Sequence, residues 1–195
     1  MLKAFRCDFH IHTCLSPCAE LDMSPRSIIL RALEKKLDVI GICDHNAAEN
    51  VRYVQQAAKD LPIAVLPGME LTSSEEVHVL ALFDNLDALM TLQELVYDHL
   101  PGKNDESVFG CQAIVNEINE VEAFNDHLLI GATDIPVISL IRQIHELGGL
   151  AIASHIDRES FSAISQLGFI SDDMPFDALE VTVRVGLHNA RFRYP

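Results

Sequence analysis

Two histidines one residue apart sit near the end of the segment Phe5-Arg-Cys-Asp-Phe-His-Ile-His-Thr13. The apolar residues around them have strand character. Side chains alternate across a strand, so His10 and His12 project from one face. Two neutral imidazoles fixed side by side form a bidentate claw for Zn²⁺, Mn²⁺ or Fe²⁺. His-x-His is a short pattern and equally describes two histidines on a solvated sheet face. The difference lies in whether other metal-capable residues reach the same place.

Such residues recur at the ends of apolar runs. Asp38-Val-Ile-Gly-Ile-Cys43 reads as a strand buried on both faces and leads into Asp44-His45-Asn46. Residues 63–66 form another such run, followed by Pro67-Gly-Met-Glu70. Residues 77–83 carry His78 near their start, and residues 150–153 end in Ser154-His155. A last strand is expected at 176–182. Helices must lie between them. Ser24-Pro25 opens one, with Ser as N-cap, Pro at the first helical position, and Ile28, Ile29, Ala32 and Leu33 as the apolar stripe. Others are expected at 50–59, 85–100 and 112–124, and from a cap at Asp134 to Leu147, where Gly148-Gly149 stops it. Residues 101–110 read as a polar loop. Helices alternating with short apolar strands are the pattern of parallel βα units. In a βα barrel the strand ends converge on one face. Four strands would thus bring His10/His12, Asp44/His45, Glu70 and His155 together, and metal binding is the chemistry expected there.

Composition bounds the rest. At 195 residues the chain is one domain, and 49% hydrophobic against 22% charged residues fits a soluble globular protein. No apolar run approaches the ~20 residues of a membrane span. The first strand begins almost at Met1, so no signal peptide, no membrane partner and a cytoplasmic location are expected. The net charge of −15, from 29 acidic and 14 basic residues, repels polyanions and so argues against nucleic acid as a partner and for a small substrate. Among Cys7, Cys14, Cys18, Cys43 and Cys111 only Cys14-x₃-Cys18 has close spacing, and it lacks the second pair of a zinc finger.

The ordered set Asp8-Phe-His-Ile-His-Thr13, Gly41-Ile-Cys-Asp-His-Asn46, Pro67-Gly-Met-Glu70, Glu76-Val-His-Val-Leu80 and Gly149-Leu-Ala-Ile-Ala-Ser-His155 resembles the PHP (polymerase and histidinol phosphatase) family of metal-dependent phosphoesterases. The resemblance covers most of the chain. It implies an α/β fold, a distorted seven-stranded βα (TIM-like) barrel forming a single domain over 1–195. It also implies two or three divalent metal ions (Zn, Mn or Fe). By analogy His10, His12, Glu70, His78 and His155 hold paired metals, with Glu70 bridging, and His45 serves a third. Family members carry an acidic residue or His shortly after the first motif; here Cys18, Glu20 and Asp22 are all candidates. The family's closing Asp-x-His is missing after Thr182, and His188 has no Asp two residues before it. The barrel is therefore expected to lack its last strand, leaving an open edge available to a homodimer and an impaired site.

The resemblance and the residue types together suggest hydrolysis of a small phosphomonoester or nucleotide by a metal-activated water. Glu70, Asp44 and Arg158 are the residues expected to serve catalysis. Asp44 and Asp8 would orient imidazoles, and Arg158, three residues past His155, would clamp a phosphate or else be a plain exposed arginine. His99, His127 and His145 read as surface or packing residues, and Glu117, Glu120 and Glu122 as a solvated helix face. Two rivals stand beside this reading. An amidohydrolase barrel also opens with His-x-His but needs a strand-end lysine, and the lysines at 3, 35, 36, 59 and 103 lie elsewhere. A non-catalytic metal-binding or regulatory domain would explain the missing last motif.

Overall fold

In the computed structural model, residues 2–185 and 189 are described, and His188 lies outside them. The chain starts as the apolar runs require. β1 (Cys7–Ile11), β2 (Val39–Ile42) and the first half of β3 (Ala64–Thr72) pair in parallel, with Cys7 opposite Val39 and Val39 opposite Ala64. Between them run α1 (Pro25–Glu34), opened by an extended Ser24 and Pro25, and α2 (Val51–Ala57).

β3 then changes partner. Its residues from Gly68 onward pair antiparallel with β4 (His78–Leu82), Gly68 facing Leu82 and Thr72 facing His78. A parallel crossover takes about a dozen residues, and residues 73–77 supply only a hairpin, closed by Ser73 N–H on the Val77 carbonyl at 3.0 Å. The expectation of purely parallel βα units is corrected at this point. The reversal matters for the site: His78, first in its strand, lies at the end where the parallel strands finish.

The chain continues through α3 (Leu86–Asp98), α4 (Glu106–Phe109), and the hairpin of β5 (Ala113–Val115) and β6 (Val121–Phe124). That hairpin replaces the helix expected at 112–124. Asn116 Oδ1 accepts the backbone N–H groups of Ile118 (3.1 Å) and Glu120 (2.9 Å), and Asn119 takes φ 67°, a combination that builds a turn. Glu117, Glu120 and Glu122 therefore belong to a hairpin. The helix expected to be capped by Asp134 begins later, as α5 (Val137–Glu146), because Asp134 pairs with His99 at 2.6 Å and the Val137 N–H goes to Glu75.

β7 (Leu150–Ala153), α6 (Ala163–Leu167) and β8 (Ala178–Leu179) complete a six-stranded sheet in the order β1-β2-β3-β4-β7-β8. β4 is antiparallel to β7, and β7 parallel to β8. The α/β class is as expected; the main sheet has six strands among the described residues, not seven. Its two edges meet at the site end, where His10 on β1 lies 3.0 Å from Glu180 just past β8. The sheet is thus curled into part of a barrel. The apolar faces of α1, α2, α3 and α5 pack on it through residues such as Ile29, Val54, Leu92 and Ile141, against Met69, Leu71 and Val79. No helix among the described residues is long and apolar enough to cross a membrane.

Gly41 sets how closely β1 approaches β2. A Cβ there would stand 2.5 Å from the Phe9 carbonyl oxygen, which is backbone and has little room to yield. Gly41→Ala is expected to destabilise the fold by about 1–3 kcal/mol, read as a lower urea midpoint. An unchanged midpoint would show that β1, with its histidines, is free to shift.

Candidate metal centre

The strand ends deliver their residues to one cavity of about 420 Å³. His10 lies on β1, with His12 one residue past its end. His45 follows β2 and bridges in parallel to Glu70 on β3. His78 opens β4, and His155 lies two residues beyond β7. Asp8, Cys18, Ile130, Arg158, Phe161 and Glu180 complete the lining.

Glu70 is the hub. It is 1% exposed, and five imidazoles surround its carboxylate. Oε1 lies 3.0 Å from His78 Nδ1 and 3.1 Å from His155 Nε2. Oε2 lies 3.3 Å from His10 Nε2, from His12 Nε2 and from His45 Nδ1. Each oxygen thus faces a different group of rings.

The rings are held from behind. His10 Nδ1 donates to Glu180 at 3.0 Å, and Glu180 also accepts the His155 N–H at 2.9 Å. That second bond spans a residue under backbone strain, since His155 has φ 30°. Glu180 was not among the residues singled out from sequence; the available signal is a carboxylate closing a strand-like run beside the one that ends in His155. His12 Nδ1 lies 3.1 Å from Ser16 Oγ, and Ser16 donates to Asp44 at 2.7 Å. Asp44 also accepts from Thr13 N–H (2.6 Å) and Thr13 Oγ1 (2.7 Å). Asp44 is wholly buried and outside the cavity lining, and Ser16 stands between it and His12. Asp8 reaches no imidazole; its carboxylate meets the His10 backbone N–H at 3.3 Å. Arg158 is exposed on the cavity rim.

Of the three candidates after the first motif, Cys18 comes to the histidines. One ligand-type atom each of His12, Cys18 and His45 lies within 4.8 Å of the others. Glu20 and Asp22 line other depressions. His99 and His145 pair with Asp134 and Asp177, and His127 stacks on Tyr97 at 4.0 Å, all apart from the centre.

The electrostatics suit a cation. Burial raises the Glu70 pKa, but hydrogen bonds from His10, His12, His155 and His78 hold it well below the usual range. Burial and the neighbouring imidazoles push His45 down to about 3, against the pull of Glu70, so it is neutral near pH 7. Among the described residues two buried ring nitrogens make no hydrogen bond, His45 Nδ1, which only approaches Glu70 Oε2 at 3.3 Å, and His155 Nδ1. His10 Nε2 and His12 Nε2 approach to 3.2 Å while their Nδ1 atoms are engaged elsewhere. Two lone pairs that close repel unless a proton or cation lies between them. These nitrogens and the Glu70 oxygens form a donor set fit for borderline divalent ions.

Without metal, protons take that place. Burial lowers the His10 pKa, but Glu180 and Glu70 outweigh it and raise it to about 9. For His12, burial is outweighed by Cys18 and Glu70, giving about 10. Both raised values mean that a cation must displace protons from these rings at neutral pH. Apparent metal affinity is therefore expected to climb with pH and to level off above about 9–10. Competition with a chromophoric chelator at stepped pH measures this, and a flat profile would remove His10 and His12 from the ligand set.

A family model described as PHP domain matches residues 8–166. A 5′-3′ exoribonuclease of Haemophilus influenzae is 28% identical over 88 residues, covering 43% of this chain and 31% of that protein. The lesion-specific endonuclease PfuEndoQ of Pyrococcus furiosus has a similar fold, with TM-score 0.68 and 17% identity over 92% of this chain and 42% of its own. Endonuclease Q in complex with a 27-mer duplex substrate, with an abasic lesion at its active site, matches with TM-score 0.65 and 17% identity over 91% of this chain and 42% of its own. A protein of Bifidobacterium adolescentis assigned as a metal-dependent phosphoesterase has TM-score 0.60 and 17% identity, over 91% of this chain and 77% of its own. The chain spans less than half of the exoribonuclease and the endonuclease. The expectation that nucleic acid is not a partner is overturned by this company. A net charge of −15 is a sum over the whole surface. Charges beyond ~8 Å are largely screened at physiological ionic strength, so the local surroundings of the cavity, with five imidazoles and Arg158 beside Asp8, Glu70 and Glu180, count for more than the total.

Proposed function

Because the chain belongs to the PHP domain family, we propose that it is a metal-dependent hydrolase that cleaves a phosphate ester in an oligonucleotide. The observation that carries this reading is the single buried carboxylate of Glu70 within reach of five imidazoles. His10, His12, Glu70, His78 and His155 would hold paired divalent ions, with His45 beside them. Such ions, when bound, supply Lewis acidity toward phosphate oxygens and water.

The protein's own groups do the rest. Glu180 and the Asp44–Ser16 pair fix the rotation of His10 and His12, so that their outer nitrogens stay turned to Glu70. Phe161 stacks on His78 with ring centroids 4.8 Å apart and so limits that ring's rotation. Arg158 stands where a phosphate would enter, a planar fork suited to two phosphate oxygens. It also borders a neighbouring cavity of about 880 Å³, lined by Arg184 and by the carboxylates of Asp157 and Glu159. The exoribonuclease and endonuclease relatives support a nucleic-acid substrate over a small free one.

The test uses the chain loaded with Mn²⁺ or Zn²⁺ and offered end-labelled RNA and DNA oligonucleotides, with a simple aryl phosphate alongside. Metal-dependent cleavage of an oligonucleotide is expected. Tight metal binding without hydrolysis of any of these esters would overturn the proposal.

A further inference from the structure

We infer that Cys18 is a thiolate ligand which, with His12 and His45, makes a sulfur-containing cation position that prefers zinc to manganese. The inference rests on the reading of this cluster as a metal centre and assigns one of its positions a ligand and a metal class.

The sequence places an ordinary turn here. Pro17 follows Ser16 with its φ already fixed near the value the second residue of a tight turn needs. Ala19 N–H closes the turn on the Ser16 carbonyl at 3.0 Å. Cys18 is therefore carried at a set distance from Ser16. Ser16 in turn is tied to both histidines: its hydroxyl lies 3.1 Å from His12 Nδ1 and accepts the His45 backbone N–H at 3.1 Å. Asp44 holds that hydroxyl from below at 2.7 Å. One buried anchor thus positions sulfur and both rings together, which brings their ligand-type atoms within 4.8 Å.

A second observation points to a ligand. The His45 ring is more than nine-tenths buried, and its Nδ1, 3.3 Å from Glu70 Oε2, makes no hydrogen bond among the described residues. Cys18 itself is exposed along the cavity wall, so a cation has access from solvent. The chemistry then selects the ion. A thiol gives up its proton to solvent as the sulfur–metal bond forms. Thiolate with two imidazoles suits zinc, while manganese favours carboxylate and water oxygens. An acidic residue, one of the two types the family resemblance implies at this place, would carry the opposite preference.

Cobalt(II) titration of the full chain tests this. Visible ligand-field bands report cobalt anywhere in the centre, and a near-ultraviolet sulfur-to-cobalt charge-transfer band reports Cys18. Both are expected in the parent chain. The charge-transfer band should vanish in Cys18→Ser and Cys18→Asp, with visible bands remaining, and persist in Cys111→Ser. Zinc affinity at this position should fall at least about tenfold in Cys18→Ser, and Cys18→Asp should shift preference toward manganese. Visible bands without the charge-transfer band, or its survival in Cys18→Ser, would overturn the inference and spare the metal centre. Absence of every cobalt band would overturn both. Alkylation of Cys18 in the unaltered chain gives an independent reading: zinc should block it and manganese should not, and equal labelling with and without zinc would refute the assignment.

Discussion

Glu70→Gln is expected to abolish metal retention and phosphate-ester hydrolysis while leaving the protein folded. The substitution keeps the side chain's size and removes one negative charge from the point where five imidazoles converge. Cations held on both sides of a carboxylate are screened from each other by its charge, and a neutral amide offers one oxygen and two N–H groups in its place. Those N–H groups would face ring nitrogens that must be lone-pair donors to a metal. A loss of at least about 10²–10³ in kcat/KM is expected, with metal content falling in parallel. Stability changes in a definite direction. The Glu70 pKa is depressed in the fold, so its contribution is present above the unfolded value and lost as pH falls through the folded one. Metal-free Glu70→Gln should therefore show a weaker acid-induced loss of stability than the parent. Inductively coupled plasma analysis, cleavage of a labelled oligonucleotide and circular dichroism at stepped pH measure the three effects. Hydrolysis at the parent rate would remove Glu70 from the centre.

The parts of this site that could be read in advance are those fixed by local geometry. Alternation along a strand puts His10 and His12 on one face, and strand ends converge in any barrel, so Glu70, His45 and His155 follow from where apolar runs stop. His78 fits only once β4 is reversed, and the short link at 73–77 already demands that reversal. Other features depend on contacts distant in the chain. Glu180 meets His10 across 170 residues, and one carboxylate at a strand end looks like any solvated one. The hairpin at 113–124 defeats periodicity because its apolar residues suit either period, and the deciding group is the Asn116 side chain bonding its own turn. Asp44 was legible as a carboxylate beside the site, but its connection through Ser16 requires knowing that the loop after His12 folds back under it.

Asp44→Ala is expected to cost about 3–5 kcal/mol of stability, close to the most a single substitution removes. The carboxylate is completely buried and accepts three hydrogen bonds, two from Thr13 and one from Ser16. Each buried donor left without a partner costs about 1–3 kcal/mol. That is a large share of the ~5–15 kcal/mol that holds an ordinary domain together. Asp44→Asn keeps one acceptor oxygen and the side chain's shape, so it should retain the fold at a smaller cost. Ser16→Ala separates structure from positioning. It leaves both Thr13 bonds on Asp44 and removes the hydroxyl's contact to His12, its bond to Asp44 and its bond from the His45 N–H. Metal affinity should drop about 10–100-fold in Ser16→Ala, with a stability loss of about 1–3 kcal/mol from the unpartnered His45 N–H. Combining Ser16→Ala with Asp44→Asn should then lower affinity little further, because both act along one path to the same ring. Urea unfolding and chelator competition give the two quantities for each variant. If Ser16→Ala binds metal as tightly as the parent, Asp44 supports the fold alone and His12 is oriented by something else.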